Sequence, residues 1–137
     1  MTSKILVVDD ERDISDLVAF NLKEEGYEVI TAVDGMQALN LARQYLPDLI
    51  VLDLMLPELD GVAVCEILHR LPSTAGIPVV MLTGWSTAEA RNIGFQAGAT
   101  EYVTKPFSPR DLVRRIKSIL HQAVAKNLPD NPSPAAA

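Results

Sequence analysis

The chain predicts a doubly wound α/β fold, one parallel sheet with helices on both faces. Three observations carry that expectation. Ile5–Val8, Leu49–Leu52 and Val79–Leu82 are short apolar runs without alternation, as strands covered on both faces require. Between the strand-like runs lie longer stretches whose apolar residues recur three and four apart, the helical period. The two patterns alternate along the chain, which implies parallel strands joined by right-handed crossovers.

The elements follow in order. Ile5-Leu6-Val7-Val8 is the first strand and stops at Asp9-Asp10. Ile14, Leu17, Val18 and Leu22 form a helical stripe that Gly26 ends. Glu28-Val29-Ile30-Thr31-Ala32 is a second strand, and Asp34 caps a helix carrying Ala38, Leu39, Ala42 and Leu46, which Pro47 terminates. Leu49–Leu52 is the third strand, ending on Asp53. After the loop from Met55 to Gly61, a third helix carries Val62, Cys65 and Leu68 and ends before Pro72. A fourth strand runs from Pro78 to Thr83. Ser86 to Ala97 offers only Ile93 and a few alanines as an apolar face, so a weakly anchored fourth helix is expected. Glu101–Thr104 is the last strand and leads into Lys105-Pro106. Ser108-Pro109-Arg110-Asp111 has the serine, proline and carboxylate of a helix start, and Leu112, Val113, Ile116, Ile119 and Leu120 give that helix a strong stripe.

The size, 137 residues, suits one domain with a substantial core. We expect a folded unit over residues 1–123 and a flexible tail or linker over 124–137, where from about Asn127 the composition turns to Pro, Asn, Ser and Ala. A net charge of −6 argues against nucleic-acid binding through a broad basic face. One cysteine, Cys65, cannot form an internal disulfide, which fits a reducing compartment. The opening residues do not read as a signal peptide, and no run approaches membrane-spanning length, so a cytoplasmic location without membrane contact is expected.

Chemistry gathers where the runs end. Asp9, Asp10, Asp53, Thr83 and Lys105 each follow or close a strand, and in a parallel sheet those carboxyl ends share one edge, where open α/β sheets bind ligands. Two carboxylate charges about 4 Å apart cost roughly 4 kcal/mol at an effective dielectric near 20. Either one carboxyl is protonated or a cation lies among them. All-oxygen donors with open positions suit Mg²⁺. Asp53 can then be a carboxylate nucleophile that accepts a phosphoryl group, while Lys105 and Thr83 can bind its oxygens.

Taken singly, each residue has an ordinary explanation: a turn aspartate, a β-branched strand residue, a surface lysine. Their joint occurrence at successive strand ends is what resembles the receiver domain of bacterial two-component response regulators. The resemblance covers about residues 4 to 122. It implies the flavodoxin-like (βα)5 arrangement with strand order 2-1-3-4-5. Asp9 and Asp10, in Val-Val-Asp-Asp-Glu, match the acidic pair that organises Mg²⁺. Asp53, in Val-Leu-Asp-Leu-Met-Leu-Pro, matches the phosphoacceptor and a metal ligand, with the backbone carbonyl of Met55 a further ligand. Thr83 matches the switch hydroxyl, Tyr102 the switch aromatic, and Lys105, in Thr-Lys-Pro-Phe, the phosphate-binding lysine. The Lys105–Pro106 bond is expected to be cis by the same resemblance, although only about 5–6% of X–Pro bonds are.

The function so implied is phosphorelay signalling. A histidine kinase or a histidine phosphotransfer protein donates its phosphoryl group to Asp53. The domain catalyses only its own Mg²⁺-dependent phosphorylation and dephosphorylation and is otherwise no enzyme. The last third is similar to receivers of winged-helix (OmpR/PhoB-type) transcription regulators, which dimerise through the fourth helix, fifth strand and fifth helix. Arg91, Glu101, Asp111, Arg115 and Lys117 match charged positions of that face, whereas Ala97 and Thr100 depart from it. A phosphorylation-dependent homodimer and a merely solvated charged face are both open on this reading. Gly84 stands where the family usually has alanine. Trp85 and Met55 would flank the acceptor and obstruct the attacking water. Two rival classes fit less well. An aspartyl phosphatase needs a second aspartate where Met55 stands, and a flavodoxin-like nucleotide binder needs a glycine-rich loop where Asp9-Asp10-Glu11 stands.

Overall fold

Alternation of strand and helix along the chain produces a three-layer sandwich in the computed structural model, which describes residues 2–126. The strands are β1 (Lys4–Val8), β2 (Glu28–Ala32), β3 (Leu49–Leu52), β4 (Val79–Thr83) and β5 (Glu101–Thr104). The helices are α1 (Arg12–Glu24), α2 (Gly35–Tyr45), α3 (Gly61–Arg70), α4 (Ala88–Ala97) and α5 (Pro109–Lys126). All strand pairs are parallel, in the order β2-β1-β3-β4-β5. The expected fold class and strand order are both present.

Side chains of a strand alternate between faces, so each apolar run feeds two cores. Leu6, Val8, Ile50, Leu52, Val79 and Met81 pack with the buried residues of α2, α3 and α4 on one face. Ile5, Val7, Leu49, Val51, Val80 and Leu82 pack with α1 and α5 on the other. This is why no polar residue interrupts the central strands. Fully burying one such side chain contributes about 1.5–3 kcal/mol.

The caps form where the local chemistry predicts them. Asp34 accepts from Gln37 N–H at 2.8 Å, and Ser108 Oγ accepts from Asp111 N–H at 3.2 Å. Three helix faces differ from expectation. In α1 the buried positions are Ser15, Val18, Ala19 and Leu22, and Leu17 is exposed. In α2 Leu46 is no core residue: it is the exposed C-cap in left-handed conformation (φ 47°). In α4 Ile93 is exposed, and the packed face is Ala90, Gly94 and Ala97. Small residues let α4 approach the sheet closely, and this packing outweighs the larger apolar side chain beside them. Helix α5 continues to Lys126, three residues past the expected boundary at 123. The rest of the expected tail lies outside the described residues.

Candidate functional site at the carboxyl edge of the sheet

Register places the polar residues. Val8 pairs with Leu52 in the β1–β3 ladder, so Asp9 and Asp53 leave neighbouring strands at the same level. Thr83 pairs with Thr104 in the β4–β5 ladder, which puts Lys105 one residue beyond Thr83. Main-chain bonds carry the ladders past the strands: Asp53 N–H donates to Val8 O at 3.1 Å, and Lys105 N–H to Thr83 O at 2.8 Å. At Gly61 the first turn of α3 comes so close to this edge that a Cβ would lie 2.1 Å from Asp53 O. Only glycine allows that approach.

Asp9 and Asp53 are almost fully buried, with 2% and 4% exposure, while Asp10 is exposed. Each buried carboxylate has one oxygen fixed by its own turn. Asp9 Oδ1 accepts from Glu11 N–H at 2.9 Å, and Asp53 Oδ1 accepts from Met55 N–H at 2.9 Å. Their other oxygens share one ammonium: Lys105 Nζ donates to Asp9 Oδ2 at 2.9 Å and to Asp53 Oδ2 at 3.0 Å. Burial raises the Asp9 pKa above the usual carboxylate range. The Lys105 and Glu11 bonds oppose that rise, and the Asp53 charge reinforces it. Burial acts to lower the Lys105 pKa, but the hydrogen bonds it donates to Asp9, Glu11 and Asp53 outweigh it, and the pKa is raised. The amine is therefore an ammonium at neutral pH.

Asp9, Asp10 and Asp53 offer carboxylate oxygens that all lie within 4.8 Å of one another. A small, hard divalent cation is held by oxygen donors of this kind at about 2.0–2.1 Å, usually with one or two carboxylates and several waters. The donor set fits Mg²⁺.

Thr83 is fully buried, and its Oγ1 accepts from Trp85 N–H at 3.3 Å. Tyr102 is also buried, and its hydroxyl donates to the Trp85 carbonyl. Thr83 and Tyr102 thus hold the β4–α4 loop at one residue. Tyr102, the residue that matches the switch aromatic, therefore has its ring turned inward. The Arg91 guanidinium lies 5.1 Å from the centre of its ring. Met55 and Trp85 are exposed beside the site.

Not every expected residue belongs together. Arg115 pairs with Glu101 at 3.2 Å and with Asp111 at 3.0 Å, and these residues share one surface with Arg91 and Tyr102. Lys117 is elsewhere, paired with Glu25 at the end of α1. Glu11 is the site residue that sequence reasoning missed. Its Oε1 lies 3.0 Å from Lys105 Nζ. No local signal marks it: a carboxylate just before the first helix is unremarkable in the sequence, and only the fold brings it to Lys105.

The model of the response regulator receiver domain family matches residues 5–117. The chain is 48% identical over 123 residues to the alkaline phosphatase synthesis transcriptional regulatory protein PhoP of Bacillus subtilis, covering 90% of this chain and 50% of that protein. It is 47% identical over 119 residues to the DNA-binding dual master transcriptional regulator RpaA of Synechocystis, covering 87% and 49%. The chain thus spans about half the length of these curated relatives. Among solved structures, a CheY-like response regulator receiver domain protein from Methanospirillum hungatei superposes with a TM-score of 0.87 at 32% identity, covering 93% of this chain and 100% of that one.

Proposed function

This chain belongs to the response regulator receiver family of two-component phosphoacceptor signalling, and from that premise we propose that Asp53 is its phosphoacceptor. The observation that carries the assignment is the single ammonium of Lys105 bridging Asp9 and Asp53 across neighbouring strands. Asp9 and Asp53 are each held by a turn N–H and by Lys105, and of the two it is Asp53 that ends the central strand β3.

In the proposed transfer, Asp53 Oδ attacks the phosphorus of a phosphohistidine on a kinase or phosphotransfer protein. The new P–O bond forms as the P–N bond breaks, and the imidazole nitrogen keeps the electron pair. Mg²⁺, held by Asp9, Asp10, Asp53 and the carbonyl of Met55, supplies charge neutralisation when bound. Lys105 turns from carboxylate to a phosphoryl oxygen, and the Thr83 hydroxyl binds another. Such transfer needs positioning and neutralised charge more than covalent help, and these residues provide both. Met55 and Trp85 shield the acyl phosphate from water.

Thr83 is already tied to Trp85 N–H, and Tyr102 to the Trp85 carbonyl. Drawing Thr83 towards a phosphoryl group therefore pulls the β4–α4 loop and with it the surface of α4, β5 and α5. Arg91, Glu101, Asp111 and Arg115 form the partner-facing charges of that surface, for an effector or a second copy of this chain. We place the chain in the cytoplasm. No helix among the described residues is long and apolar enough to cross a membrane.

The test is labelling with acetyl phosphate and Mg²⁺. The native chain should take up one acid-stable, base-labile phosphoryl group, and Asp53→Asn none. Stoichiometric labelling of Asp53→Asn would overturn the assignment.

A further inference from the structure

Lys105 makes one bond more than this chemistry uses. Its Nζ lies as close to Glu11 Oε1, at 3.0 Å, as to Asp53 Oδ2, also at 3.0 Å. Glu11 is the N-cap of α1, where a short polar side chain would bond a first-turn N–H, yet its carboxylate makes no capping bond. It reaches instead to the residue that follows β5. Its main-chain N–H meanwhile donates to Asp9 Oδ1. One residue thus holds Asp9 by its backbone and Lys105 by its side chain.

An ammonium has three donors, and here all three go to carboxylates. A divalent cation drawing on Asp9 and Asp53 competes with the amine for those oxygens. Glu11 lies outside the oxygen cluster of Asp9, Asp10 and Asp53, and its side chain is 63% exposed. It is the partner the amine can keep.

We propose that Glu11 is a positioning residue for Lys105, retaining the ammonium at the mouth of the site while Asp9 and Asp53 turn to the cation. The amine then stays within reach of a phosphoryl oxygen on Asp53. This rests on the phosphoacceptor reading. Without Glu11, the amine has only Asp9 and Asp53 and competes harder with the cation for them.

The experiment is Mg²⁺ titration of the whole chain, followed by backbone amide chemical shifts, which needs no phosphorylation. Glu11→Gln should raise the Kd for Mg²⁺ by about three- to tenfold, the range of a modest coupling between contacting groups. Asp13→Asn, which removes an exposed carboxylate of the first turn of α1, should change it by less than about twofold. In a Lys105→Met background Glu11→Gln should also change it by less than about twofold, because there is no amine to hold. An equal effect of Glu11→Gln with and without the lysine, or no effect at all, overturns the proposal and leaves the phosphoacceptor reading standing. A Mg²⁺ affinity unchanged by Asp9→Asn would overturn both.

Discussion

At Cys65, chemistry is decided by burial. The thiol is fully buried between α3 and α4, where its Sγ donates to Ala97 O at 3.4 Å. Burial pushes its pKa from an ordinary 9.0 up to about 12, with the Glu66 charge adding to the rise. A thiol whose folded pKa is raised stabilises the fold fully below its ordinary pKa, and that contribution is lost as pH climbs through the folded value. Denaturation midpoints should therefore fall between about pH 9 and 12 more steeply in the native chain than in Cys65→Ala. Iodoacetamide at pH 8 should leave the native thiol unmodified and react once urea is added. Native alkylation at the rate of a free thiol would contradict this account. At the same scale, the shared position of Asp9, Asp53, Thr83 and Lys105 at the carboxyl edge was legible because an apolar strand has no use for a polar end group, so each stood out against its run. Glu11 was not. It stands in a polar turn where a carboxylate is unremarkable, and its partner is 94 residues away.

Helix α4 shows where size misleads and shape decides. Ile93 was the natural anchor by hydrophobicity, but Ala90, Gly94 and Ala97 form the packed face and Ile93 stays in solvent. The expectation of a lightly anchored helix survives, since small residues bury little apolar area each. What the periodicity could not show is how near the helix comes to Tyr102. A Cβ at Gly94 would lie 3.0 Å from two atoms of the Tyr102 ring and 2.9 Å from Met81 Sδ. The ring cannot easily give way, because its hydroxyl is bonded to the Trp85 carbonyl. Gly94→Ala gains about 1 kcal/mol of helix propensity and incurs about 1–3 kcal/mol of overpacking. A net loss of about 0–2 kcal/mol is expected in urea denaturation. The diagnostic effect is on Tyr102, whose phenol pKa is raised by burial, against the opposing charge of Arg91. Its ring resonances should shift in Gly94→Ala and its pKa fall towards the ordinary 10.0. Ring signals identical to the native chain would mean that α4 moves instead of Tyr102.

Over the whole molecule, the sheet edge concentrates a charge that folding alone leaves unbalanced. Asp9 and Asp53 are buried side by side and share one ammonium with Glu11, and Asp10 lies in the same oxygen cluster. That cluster is assembled from β1 and β3, so it exists only in the folded chain. A cation binding it acts on the native state alone and stabilises the fold by mass action. At a hundred times its Kd the gain is about 2.7 kcal/mol. For a domain of this size that raises Tm on the order of 10 °C. Calorimetric scans should therefore show a higher Tm in Mg²⁺ than in K⁺ at equal ionic strength, returning to the lower value with a chelator. Matching ionic strength matters because salt alone screens the like charges over about a Debye length. Asp53→Asn removes one donor and one of the repelling charges, so most of the Mg²⁺-dependent gain should vanish in it. A native Tm indifferent to Mg²⁺ would mean that Lys105 alone balances the aspartates, and the sheet edge would then be a structural ion-pair network instead of a metal-dependent site.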